Sequence, residues 1–218
     1  MSLFGGMAKK KRHVFFSFHY ADVMRVNNVR QSGQFKTDKT DGREIEGFYD
    51  RSLWESRKLT GDDSLKNLIR EGVQRTSVVC VLAGSDTWQR RWVRYEIARA
   101  VIDGKGLFAI HINGINHHER KVPDERSDNP CRYMGVARDG DSDKFYLCER
   151  NSVNGTYQWV WYKDYTHPVS VPKFMKPPDN GKPVRLSEVT TEYDWAQQNG
   201  YANIGWWSDL AAQEGGYT

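Results

Sequence analysis

Along the first half of the chain, short β-branched and aromatic runs give way repeatedly to apolar residues at helical spacing. The run HVFFSF at His13–Phe18 predicts a strand. After His19 and Tyr20, Val23, Val26 and Val29 recur at helical intervals until Gly33. Residues 33–44 are polar and read as a loop, Ile45–Tyr49 as a weak second strand, and residues 50–58 as a second loop carrying Trp54. From Thr60 a helix begins with Asp62 and Asp63 in its first turn, where carboxylates favour the helix dipole. Leu65, Leu68, Ile69 and Val73 form its apolar face. Residues 77–83 are continuously apolar, a strand to be buried on both sides. A loop, a helix ending at Asp103-Gly104 and a strand over Lys105–Ile112 complete the pattern. Strand and helix thus alternate four times over residues 13–112. That predicts an α/β fold: a mostly parallel sheet flanked by helices.

The second half reads differently. Residues 113–130 are polar loop. Alternation of aromatic and polar positions over 131–163, with turn signals at Asp139-Gly140 and Asn154-Gly155, predicts a small antiparallel meander. Residues 164–185 hold five of the seven Pro and read as extended. The tail from Leu186, with Val189, Tyr193 and Trp195, reads as helical, as does a segment near Trp206–Ala212. The expected organisation is a tag-like and basic disordered lead (1–12), an α/β domain (13–112), and a C-terminal extension (113–218) of meander, Pro-rich segment and helical tail packed on that domain.

Candidate chemistry concentrates where the apolar strand passes into the next helix, the edge at which open α/β sheets bind ligands. Trp88, Trp92 and Glu96 stand at i, i+4 and i+8, which puts them on one helical face, while Val93, Ile97, Ala100 and Val101 form the core stripe. Glu96 is either an active-site acid or a solvated helix-face carboxylate paired with Arg99 or Arg91.

Composition narrows the class. The chain is 38% hydrophobic and 28% charged, as in a folded soluble protein, and no stretch approaches the length of a membrane span. Net charge is +4, and Lys9, Lys10, Lys11 and Arg12 account for all of it. The remainder is roughly neutral, so no nucleic acid is expected as partner. Three Cys (80, 131, 148) without CxxC spacing suit a reducing, cytoplasmic setting. His117, His118 and Glu119 lack a third ligand at clear spacing, so no metal site is expected. No GxGxxG follows a strand and no GxxxxGK[ST] occurs, which argues against a nicotinamide-dependent dehydrogenase and a P-loop ATPase.

The opening strand VFFSF (14–18), the run Phe48-Tyr49-Asp50, and Ser85–Ile97 with the W-x-x-x-E spacing of Trp92 and Glu96 resemble TIR-type domains. The chain is more closely similar to the bacterial TIR-like proteins of the Thoeris antiphage system, the ThsB family. That resemblance extends over almost the whole chain, through VFFSFHY (14–20), SLWE (52–55), RRWVRYEI (90–97), IHIN (110–113), Leu186-Ser187 and Tyr193-Asp194-Trp195. The loop 50–58 lacks the Pro-Gly character usual in TIR domains.

The resemblance implies a TIR/flavodoxin-like sheet and cleavage of the nicotinamide–ribose bond of NAD+, with NAD+ as substrate and no cofactor. The product would be a cyclic ADP-ribose isomer, a diffusible nucleotide that activates a separate effector; a homo-oligomer is compatible with it. Nicotinamide leaves as a neutral molecule, so the demand is for stabilising an oxocarbenium-like ribose rather than for strong acid catalysis. Glu96 is the expected catalytic carboxylate. Trp54, Trp88, Trp92 and Phe18 are candidate aromatic walls, and Ser17, His19 and Ser85 candidate polar contacts to substrate. Arg90, Arg91 and Arg94 are candidates to neutralise the pyrophosphate. The competing readings are a non-catalytic TIR-like interaction module and a nucleotide sensor.

Overall fold

In the computed structural model, residues 12–32, 44–46 and 61–217 are described. The tag-like lead before Arg12, the Phe48–Asp50 run and the loop holding Trp54 lie outside these residues. Among the described residues, five parallel strands form one sheet in the order β2-β1-β3-β4-β9, made of β1 (His13–Phe18), β2 (Glu44–Glu46), β3 (Val78–Ala83), β4 (Gly106–His111) and β9 (Thr191–Asp194). Helix α1 (Val23–Arg30) follows β1, α2 (Asp62–Gln74) precedes β3, and α3 (Arg91–Ile102) joins β3 to β4.

Alternating side chains divide the sheet's two faces between two cores. Phe15, Val79, Val81, Leu107 and Ala109 pack with Leu65, Ile69, Val93 and Ile97 of α2 and α3. Val14, Phe16, Val78, Cys80, Leu82, Phe108 and Ile110 pack on the opposite face with Val26 and Val29 of α1 and Ile204 and Trp207 of α5 (Gly200–Glu214). Every residue of β3 and β4 is buried, which is why these strands read as unbroken apolar runs.

The expected meander forms, as β5 (Met134–Arg138), β6 (Phe145–Val153) and β7 (Thr156–Trp161). A two-residue strand β8 (Val184–Arg185) joins its far side, giving an antiparallel sheet in the order β7-β6-β5-β8. Met134, Val136 and Leu147 from its inner face enter the same core as α3. Helix α3 is therefore covered from both sides and is buried continuously from Tyr95 to Val101.

The tail departs from expectation. Only Leu186–Val189 is helical (α4), and Thr191–Asp194 is a strand that pairs in parallel with β4, Ile110 opposite Tyr193. The sequence there offered apolar spacing compatible with a helix, but Tyr193 gains more as the outer wall of the second core, stacked on Trp207 at 4.2 Å and edge-on to Phe108. The final helix is longer than expected, running from Gly200 to Glu214. No helix among the described residues is long and apolar enough to cross a membrane.

Candidate active site

The strand order changes direction between β1 and β3, since the chain runs from β1 out to β2 and then back across to β3. In open parallel sheets this is the crevice, beyond the carboxyl ends, where ligands bind. Ser17 stands near the carboxyl end of β1, opposite Val81 of β3. Its side chain points toward the α3 face, and its Oγ donates a 2.5 Å hydrogen bond to Glu96 Oε2. Both residues are buried, Ser17 completely and Glu96 to 5% exposure. Burial drives the Glu96 carboxyl up to about 8, and the Ser17 bond opposes this only in part.

Glu96 therefore shares a helical face with Trp92 but not with Trp88. The helix begins at Arg91, after Arg90 adopts an extended conformation, and Trp88 belongs to a distinct 3-10 turn, Thr87–Gln89. That break takes Trp88 out of the i, i+4, i+8 series, while Trp92 and Glu96 keep their i, i+4 relation within α3. Glu96 is on the buried side of α3 beside Val93 and Ile97. Nor is it a solvated carboxylate held by a neighbouring guanidinium. Arg99 bonds Asp103, and Arg91 bonds Asp164 and Asp62.

The other expected contacts, His19 Nδ1 apart, have partners of their own. His19 follows β1 directly, and its Nδ1 is buried without a hydrogen-bond partner among the described residues. Burial and then the Arg90 charge push its imidazolium down, so the ring is neutral at physiological pH. Phe18 packs on the α1/α5 core, the sheet face opposite Ser17. Trp88 stacks on Tyr133 at 4.8 Å, and the Tyr133 hydroxyl donates to Asp128. Trp92 packs against the first core and edge-on to Tyr95, with the Arg91 guanidinium 4.7 Å from its ring centre. Arg90 sits near Asp86 at 3.7 Å, and Arg94 is committed to Glu149 and Asn151.

Ser85 belongs to a network that the sequence did not signal. Its Oγ donates to Asp124 at 3.0 Å, and Asp124 also pairs with Arg25 and Arg120. Arg25 reaches back to Asp22 and donates to the Ile115 carbonyl. Together these contacts clamp the 113–130 loop onto the ends of β1 and β3. Asp22 lies so close over Gly84 that a Cβ there would come within 1.9 Å of its carboxylate, so only glycine fits. Burial raises Asp22 and Arg25 counteracts it. The links from Ser85 and Arg25 to Asp124 and from Arg25 to Ile115 span about 40 to 100 residues, and no local pattern connects them.

Among the described residues no cluster of three or more His, Cys, Asp or Glu is arranged to hold a metal ion. The three thiols are buried and free, and burial pushes Cys131 and Cys148 up to about 12, unsuited to nucleophilic attack. What the arrangement offers is one buried carboxyl at the sheet's switch point, held by a serine and without a cationic partner among the described residues, and, just past the end of β1, an imidazole nitrogen without a hydrogen-bond partner among those residues. Positive charge arriving next to such a carboxyl favours its ionised form.

The family model described as "Thoeris protein ThsB, TIR-like domain" matches residues 15–117, a span that contains Ser17, His19, Gly84 and Glu96. A Bacillus cereus (strain MSX-D12) protein provisionally named cyclic ADP-D-ribose synthase ThsB1 is 38% identical over 203 residues, covering 92% of this chain and 99% of its own length.

Proposed function

Because the chain belongs to the ThsB family of Thoeris TIR-like proteins, we propose that it cleaves NAD+ to nicotinamide and a cyclic ADP-ribose isomer, and that Glu96 is the catalytic carboxylate. The reading that this is a catalytic rather than a purely adhesive TIR-like domain rests on one observation. A carboxyl buried to 5% exposure, raised to about 8 and tied to Ser17 lies at the switch point of the sheet. A docking module gains nothing from keeping an acid there, and burying one without a cationic partner costs stability.

In the proposed reaction the C1′–N bond to nicotinamide breaks, and its electron pair leaves with the ring nitrogen as neutral nicotinamide. Positive charge develops on the ribose. Glu96, ionised beside that charge, stabilises it electrostatically in a site that excludes water, and accepts a hydrogen bond from the ribose hydroxyls. Ser17 holds the carboxylate in place. A nucleophilic atom elsewhere in the same nucleotide then attacks C1′, loses its proton, and closes the ring. His19 Nδ1, neutral and unpaired, supplies a polar contact to the substrate. Trp88, Trp92 and Ser85 line or support the approach as aromatic and polar walls. The cyclic nucleotide acts on a separate effector.

The test is product analysis after incubation with NAD+, by chromatography and mass spectrometry. The expected result is nicotinamide together with a product one water lighter than linear ADP-ribose. The resemblance implies activity that can await a phage trigger or assembly, so the incubation is run with and without extract of phage-infected cells. Linear ADP-ribose alone would contradict cyclisation, and intact NAD+ under both conditions would contradict the reading as a whole.

A further inference from the structure

Among the described residues, one long strand edge is left without a neighbouring strand. Of the two sheets' outer strands, β2 has three residues and β8 two, and β9 carries Glu192 and Asp194. Shortness and charge are the usual means by which edges avoid pairing with other chains. The remaining edge strand, β7, has neither. Its sequence is TYQWVW, six residues without a charge or a proline, and it pairs with β6 alone among the described residues.

The β6–β7 register determines which backbone groups are free. Asn154 and Gly155, both at positive φ, close a two-residue hairpin between Val153 and Thr156. Hydrogen-bonded pairs then alternate with non-bonded ones, so Thr156, Gln158 and Val160 bond to β6, and Tyr162, next in that series, donates to the Leu147 carbonyl. Tyr157, Trp159 and Trp161 accordingly direct their N–H and C=O groups outward. Their side chains share the outer face of the sheet, where Tyr157 is 44% and Trp161 52% exposed.

We propose that β7 is a self-association edge, pairing antiparallel with β7 of a second copy about a two-fold axis through Trp159. The outward groups permit this register, which joins all three of them to the second copy. Tyr157 bonds Trp161 of the second copy, Trp159 bonds its own equivalent, and the two accessory sheets become one continuous sheet. The strand is self-complementary in this register: aromatic faces aromatic on the outer side, Gln158 faces Val160 on the inner side, and no like charges meet. Arg150, whose guanidinium sits over Tyr157, adds a cation to the aromatic row without opposing its own copy. The exposed rings and unpaired backbone are thereby covered by the same surface that presents them. The contact lies on the accessory sheet and is independent of the catalytic reading.

The test is sedimentation equilibrium on the full chain and on two doubly substituted chains, Tyr157→Lys with Trp161→Lys and Tyr157→Glu with Trp161→Glu. Both positions are solvent-facing, and circular dichroism checks that each variant stays folded. The wild type is expected to form a reversible dimer, and each variant alone to dissociate it by about 30-fold or more, because like charges then stand opposite each other. An equimolar mixture of the two variants is expected to recover a heterodimer, since position 157 of one faces position 161 of the other. A wild type that remains monomeric at every concentration, variants that dimerise as well as the wild type, or a mixture that stays monomeric would overturn the proposal.

Discussion

Glu96 combines two properties that pull in opposite directions. Its acidity is suppressed because α3 is enclosed between the parallel sheet and the accessory sheet, leaving the carboxyl with Ser17 as its hydrogen-bond donor. The sign of the consequence follows from the shift. With the folded-state value near 8 and the ordinary value at 4.5, the unfolded chain releases the Glu96 proton first. Folding stability is therefore highest below pH 4.5 as far as this group is concerned, and is lost progressively as pH rises toward 8. Glu96→Gln removes the ionisation while retaining an acceptor for Ser17. Thermal unfolding of the two proteins from pH 5 to 9 is expected to show the variant gaining on the wild type as pH increases. Activity has the opposite slope: if the anion is the working form, kcat/KM rises with pH through about 8. Parallel thermal curves at all pH values would show that the carboxyl is not held neutral.

At the scale of elements, β9 and α5 complete the main sheet although they lie almost 80 residues beyond β4 in sequence. Tyr193 stacks on Trp207 with an interplanar angle of 8°, and Trp207 is only 3% exposed. Gly106, at the start of β4, approaches the Ala211 carbonyl of α5 so closely that a Cβ would fall 2.1 Å from it. Trp207→Ala is expected to cost about 3 to 5 kcal/mol. The loss should appear as one cooperative shift of the whole denaturation curve rather than as early melting of the tail. A separate low-stability transition would mean that the C-terminal elements fold apart from the sheet they join.

At the scale of the whole molecule, legibility followed the range of the interactions that fix each part. The parallel core was readable because β1, β3 and β4 are buried on both faces and their apolar runs advertise it. The meander was readable from Asn154-Gly155 and the alternation around it. Strand β9 was not, because four residues spaced suitably for a helix carry no local mark of a strand, and the decision is made by Phe108 and Trp207. The site divides the same way. Ser17 stood out by its place near the end of β1 and Glu96 by the W-x-x-x-E likeness, whereas the Arg25–Asp124 link and the Tyr133 ring under Trp88 depend on tertiary contacts alone. The accessory sheet closes the outer side of the helix that holds Glu96 and contributes Met134, Val136 and Leu147 to the shared core.

The central claim, that this buried carboxyl performs the chemistry, is tested most directly by nicotinamide release from NAD+, measured in parallel for the wild type and Glu96→Gln at equal concentrations of folded protein. The account predicts steady release by the wild type and a rate about 100- to 10,000-fold lower for the variant. Release by the variant at the wild-type rate would contradict it.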